Sequence, residues 1–130
     1  MAIAARQSVR EAIPEVRVLL AEDEALVRFA MAEELREIGW EVIEMGTADA
    51  AIAAIDAGLR FDLLITDINM PGGTDGIDLA RIARDAIPGL RIAIMSGRPQ
   101  GDIRQYCDLY LEKPFGDVSE RFRELLTASH

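Results

Sequence analysis

Two apolar runs in this sequence end abruptly in acids. LLA at residues 19–21 stops at Glu22, Asp23 and Glu24, and LLIT at 63–66 stops at Asp67. Two further runs end in a hydroxyl, Ser96, and an ammonium, Lys113. Carboxylates held close repel one another and raise each other's pKa, so crowding them costs stability unless they are solvated or face something positive. The rest of the inventory excludes much other chemistry. His130, the last residue, is the only histidine, and Cys107 is the only cysteine. A Ser-His-Asp triad, a histidine base and a thiolate or imidazole zinc site therefore have no source. Cys107 itself reads as a small buried apolar side chain in a reducing compartment. Carboxylate, hydroxyl and lysine chemistry remains, and it suits a hard cation such as magnesium.

The elements that must place these residues follow from hydrophobic periodicity. VRVLLA (16–21) is apolar and β-branched enough for a buried strand, followed by a helix from Ala25 to Ile38 with Val27, Met31, Leu35 and Ile38 on one face and Gly39 as its stop. EVIEM (41–45) reads as a second strand, and Thr47 as the cap of an alanine-rich helix over 48–57. DLLITD (62–67) is a third strand, NMPGGTDG a loop, and 75–86 a helix that ends before Pro88-Gly89. RIAIMS (91–96) and LYLEK (109–113) are the fourth and fifth strands. The last helix spans about 117–127, with Val118, Phe122, Leu125 and Leu126 on one face. Trp40 reads as packing beside the end of the first helix, and residues 1–14 as a loosely docked leader before one domain over 15–128.

The chain has 130 residues, half of them hydrophobic, and a net charge of -9 from 23 acids against 14 bases. This suits one globular core and disfavours a nucleic-acid or anionic-membrane surface, both of which want clustered Lys and Arg. No apolar stretch is long enough for a membrane span, and the first fifteen residues lack the apolar centre of a signal peptide, so a cytoplasmic protein is expected.

Strands alternating with helices imply crossovers and a parallel sheet covered on both faces. Ligands of such sheets bind outside the carboxyl ends of the strands, near a switch in strand order. Those ends carry Glu22 and Asp23, Asp67, Ser96 and Lys113. The fold would gather acids, a hydroxyl and an ammonium in one cleft, where a divalent cation would offset the negative charge and Lys113 would add a positive point charge.

With these residues in order, the sequence resembles the receiver domains of two-component response regulators over about residues 15–128. The parts that carry the resemblance are Glu22-Asp23, LLITD ending at Asp67, NMPGGTDG, Ser96-Gly97 and Lys113-Pro114-Phe115. The resemblance implies a CheY-like flavodoxin fold, a five-stranded parallel sheet of order 2-1-3-4-5 with helices on both faces. It implies that Asp67 accepts a phosphoryl group from a phosphohistidine on a sensor histidine kinase or a phosphotransfer protein. It further implies magnesium held by Asp23, by Glu22 through water, by Asp67 and by the backbone carbonyl of Asn69. Lys113 and the Ser96 hydroxyl would meet phosphoryl oxygens, Tyr110 would be the aromatic switch residue, and the Lys113–Pro114 bond would be cis. The expected product is a bacterial stand-alone receiver, monomeric or weakly dimeric. It would signal by binding a partner, another signalling protein included, and would not be an enzyme beyond its own phosphorylation and dephosphorylation.

Taken singly, these residues have plainer readings: Glu24 as a solvated loop acid, Ser96 as a turn hydroxyl, Tyr110 as a half-buried strand aromatic. The sequence also departs from the family. INMPGGTDG is one residue longer than the usual loop. Only residues 97–107 join the fourth and fifth strands, close to the minimum for a crossover, so the helix between them should be short or missing. Two other functions fit the inventory. One is a magnesium phosphatase with an aspartyl nucleophile, of the haloacid-dehalogenase kind, although Asn69 stands where that pattern has its second Asp. The other is a receiver-like interaction module that is never phosphorylated.

Overall fold

The computed structural model describes residues 16–97, 103–113, 116 and 119–127. The leader, the Lys113–Pro114 bond and Val118 lie outside them. Five strands, β1 (Arg17–Ala21), β2 (Glu41–Met45), β3 (Leu63–Asp67), β4 (Arg91–Ser96) and β5 (Leu109–Glu112), form one parallel sheet of order β2-β1-β3-β4-β5. Parallel neighbours cannot be joined by a tight turn. Helices α1 (Ala25–Glu37), α2 (Ala48–Asp56) and α3 (Gly76–Ala86) supply the first three connections, and α4 (Ser119–Thr127) follows β5.

Alternation along the strands sorts the core into two layers. Leu19, Ala21, Leu64, Ile92 and Ile94 face one way, onto Ala48, Ala51 and Ile55 of α2 and Leu79, Ala80 and Ala83 of α3. Val18, Leu20, Leu63, Ile65, Ala93 and Met95 face the other way, onto Met31, Ala32 and Leu35 of α1 and Phe122 of α4. Trp40 joins this second layer at the end of α1, as its position predicts. β1 and β3 are buried along almost their whole length because helices cover both faces.

Local chemistry sets most element ends. Thr47 caps α2, its Oγ1 accepting from the Ala50 N–H at 3.0 Å. Asp75 and Asp78 form a reciprocal capping box at the start of α3. Gly39, at φ +96°, turns the chain out of α1 in a conformation other residues rarely adopt. Between β4 and β5, the described residues hold one 3-10 turn, Arg104–Tyr106, in place of a full helix, as the short connection predicts. The longer loop after β3 is closed at its base by the Gly76 N–H donating to the Ile68 carbonyl at 2.8 Å, which confines the added residue to the loop.

Candidate functional site

Strand order decides what meets at the top of the sheet. From β1 the chain proceeds outward to β2, whereas β3 lies on the other side of β1, so the loops after β1 and β3 diverge and leave a crevice. Glu22 and Asp23 leave the end of β1 on one side of it, and Asp67 is the last residue of β3 on the other. Carboxylate oxygens of Glu22, Asp23 and Asp67 all lie within 4.8 Å of one another.

The ammonium of Lys113, just past β5, bridges two of the three acids. Nζ lies 3.0 Å from Oε1 of Glu22 and 2.8 Å from Oδ2 of Asp67. Glu22 is 1% exposed and uses its other oxygen, Oε2, to accept from the Glu24 N–H at 3.1 Å. Burial pushes the Glu22 carboxyl above its ordinary pKa, and the charge of Asp67 adds to the rise, while the Glu24 N–H and Lys113 act against it. Burial alone would lower the Lys113 pKa, but the hydrogen bonds and charges of Asp67 and Glu22 outweigh it and the net shift is upward. Asp23 is exposed at the mouth of the site, and Asn69, two residues beyond Asp67 in the chain, is exposed as well. These all-oxygen donors suit a hard divalent cation far better than a soft one.

Ser96 is fully buried as the last residue of β4, and its carbonyl accepts from the Lys113 N–H at 2.7 Å. Because Asp67 pairs in register with Met95, Ser96 stands one residue beyond Asp67 on the neighbouring strand. Tyr110 pairs with Ile94 and packs against the core layer of α2 and α3, and its buried hydroxyl has no hydrogen-bond partner among the described residues. Glu24 is exposed, in keeping with a loop acid.

Two supporting residues escape a reading of the sequence for reactive types. Gly76 packs so closely under Asp67 that a Cβ there would stand 1.9 Å from the Asp67 carbonyl oxygen. Its signal was the Asp-Gly step that opens α3. Arg28, on α1, donates from Nη1 to the Glu22 carbonyl at 2.8 Å. A further signal was compositional: Lys113 is the chain's only lysine, and every other permanently charged basic side chain is arginine. An ammonium is a compact point charge where a guanidinium is a broad fork, so the exception falls where a small cation must fit between carboxylates.

The comparisons agree with this geometry. The model of the response regulator receiver domain family matches residues 18–120. The transcriptional regulatory protein PdtaR of Mycobacterium tuberculosis is 40% identical over 111 residues, which cover 80% of this chain and 52% of PdtaR. The chain thus spans about half the length of that relative. The response regulator receiver protein CpdR of Brucella abortus is 32% identical over 121 residues, covering 87% of this chain and 98% of CpdR. The response regulator protein TrrA of Thermotoga maritima, solved in complex with Mg(2+)-BeF, superposes with a TM-score of 0.76 at 28% identity, over 85% of this chain and 99% of TrrA.

Proposed function

This chain belongs to the response regulator receiver family of two-component systems, and on that premise we propose that it accepts a phosphoryl group on Asp67 with the help of Mg2+. One observation carries the proposal: three carboxylates share a crevice, and a single ammonium bridges the two most buried of them. Glu22, Asp23 and Asp67, with the Asn69 carbonyl, would hold the cation. When bound, Mg2+ supplies positive charge to the crowded acids and to the phosphoryl oxygens.

Lys113 engages Oδ2 of Asp67, so we assign Oδ1 as the nucleophile. As the Oδ1–P bond forms, the P–N bond of a phosphohistidine donor breaks, and its electron pair stays on the imidazole nitrogen. Lys113 keeps a positive charge against the developing phosphate, and the Ser96 hydroxyl stands on the adjacent strand to donate to a phosphoryl oxygen. Tyr110 is the aromatic that responds, and the chain signals by partner binding or onward phosphotransfer. It is not an enzyme towards other substrates, and its place is the cytoplasm. Among the described residues no helix is long and apolar enough to cross a membrane. The match over nearly the whole length of CpdR supports a receiver-type role for these residues.

The phosphodonor is a histidine kinase or phosphotransfer protein. Its docking side is the first two turns of α1, where Leu26 is 85% and Phe29 58% exposed directly after the acidic turn. Large apolar side chains left in water beside a reactive site mark a contact surface.

The test is intact mass measurement after incubation with a small acyl phosphate and Mg2+. One added phosphoryl group, labile to base and absent from Asp67→Asn, is the expected result. Labelling of Asp67→Asn at the wild-type level would overturn the assignment, and sustained turnover of a phosphomonoester would favour a hydrolase.

A further inference from the structure

Arg28 takes no part in the proposed chemistry, yet it holds the peptide on which two of the three acids sit. Its side chain is 23% exposed. Nη1 donates to the Glu22 carbonyl at 2.8 Å, and Nε lies 3.3 Å from Oε1 of Glu44 on β2. The other Glu44 oxygen forms an ion pair with Arg36 at 3.0 Å, so that carboxylate faces a guanidinium on both sides. The Glu22 carbonyl belongs to the peptide that joins Glu22 to Asp23. Rotating that peptide would re-aim both carboxylates at once.

The electrostatics make such a hold necessary. Glu22, Asp23 and Glu24 are consecutive, and Asp67 faces them across the crevice. Mutual repulsion drives the turn outward, away from β3. Lys113 opposes this from the cleft side, on the side chain of Glu22. Arg28 opposes it from the α1 side, on the backbone, with a charged donor that also reduces the local negative potential. The Glu22 N–H, donating to the Met45 carbonyl at 3.0 Å, ties the same residue to β2.

We infer that Arg28 is a positioning residue for the cation site, fixed by Glu44 and in turn fixing the Glu22–Asp23 peptide so that both carboxylates point at one ion. The inference rests on reading the acid cluster as a Mg2+ site. Arg36 provides the control, because it shares Glu44 but otherwise bonds to the Val42 carbonyl and to Glu33, away from the acidic turn.

Mg2+ affinity by calorimetry and metal-free hydrogen exchange at the Glu22 and Glu24 amides should be measured for Arg28→Ala, Arg28→Lys and Arg36→Ala. Arg28→Ala should weaken Mg2+ binding about tenfold or more, the usual effect of losing a group that orients metal ligands, and should speed exchange at both amides. Arg28→Lys should recover part of each, and Arg36→Ala, which leaves Glu44 paired with Arg28, should change both much less than Arg28→Ala does. Wild-type Mg2+ affinity in Arg28→Ala, or an equal loss in Arg36→Ala, would overturn the inference. If the wild-type protein bound no Mg2+, the cation reading would fail. The exchange data would still decide on Arg28, since unchanged exchange in Arg28→Ala refutes its hold on the turn.

Discussion

The Lys113 ammonium stands 2.8 Å from Asp67 and 3.0 Å from Glu22, reaching across 46 and 91 residues of sequence. At 24% exposure it is only partly screened by water, so it is the main internal counter-charge to the acid cluster. Its removal leaves two poorly solvated carboxylates facing each other.

Lys113→Ala should therefore destabilise the metal-free protein by about 1–3 kcal/mol, less than for a fully buried pair because the lysine keeps some solvent. Saturating Mg2+ should return much of that loss, because a ligand bound only by the native state stabilises it. Thermal melts with and without Mg2+ check this. An undiminished melting temperature in the metal-free variant would contradict it.

Two of the shifted groups, Glu22 and Lys113, lie in the site and contribute to its pH dependence. The folded-state pKa of Glu22 lies above its ordinary 4.5, so the folded chain keeps this proton to higher pH than the unfolded chain does. Stability of the metal-free protein should accordingly fall as pH rises from 4.5 through the raised value. The folded pKa of Lys113 is raised above 10.5, so its contribution is complete below 10.5 and is lost as pH climbs through the raised value. The proposed Mg2+ site needs Glu22 ionised, so a Mg2+-induced rise in melting temperature should shrink from neutral pH towards 4.5. Glu22→Gln should flatten the acid side of this profile.

Gly76→Ala should cost at least about 2 kcal/mol, because its methyl group would collide with the backbone of Asp67 and not with a side chain that can swing away. Phosphoryl labelling should fall as well, since the displaced atoms carry the proposed nucleophile. Chemical denaturation and mass measurement on the same variant test both parts.

Tyr110→Phe removes a buried hydroxyl that lacks a partner among the described residues. The unphosphorylated protein should be unchanged or more stable by up to about 1 kcal/mol, as expected when an unpaired polar atom leaves an apolar setting. A loss of more than that would reveal a bond that the hydroxyl makes.

Leu26→Ser and Phe29→Ser should each change stability by no more than about 0.5 kcal/mol, because both side chains lie in water. Labelling by a small acyl phosphate should be unaffected, whereas transfer from a phosphorylated kinase should slow. Equal rates from both donors would place the docking surface elsewhere.

The sequence by itself determined the order of elements and the chemistry at the strand ends. Period-two apolar runs and helical faces are local properties, and Thr47, Gly39 and the Pro88-Gly89 break act within a turn of where they stand. The ends moved by single residues: Ile38 leaves α1 because its N–H bonds to the Leu35 carbonyl, and the Gly39 N–H to the Arg36 carbonyl, in a tightened last turn. The acids, Ser96 and Lys113 were legible because strands of a parallel sheet all deliver their last residues to the same edge. Tertiary structure alone decided that Lys113 bridges Glu22 and Asp67 while Asp23 stays exposed at the mouth. It alone decided that Arg28 grips a carbonyl and that Gly76 lies under one. A backbone carbonyl is the same group at every position, so no residue type announces which one a distant guanidinium will hold or which will leave no room for a Cβ. Such contacts arise only once the strand order has brought the elements together.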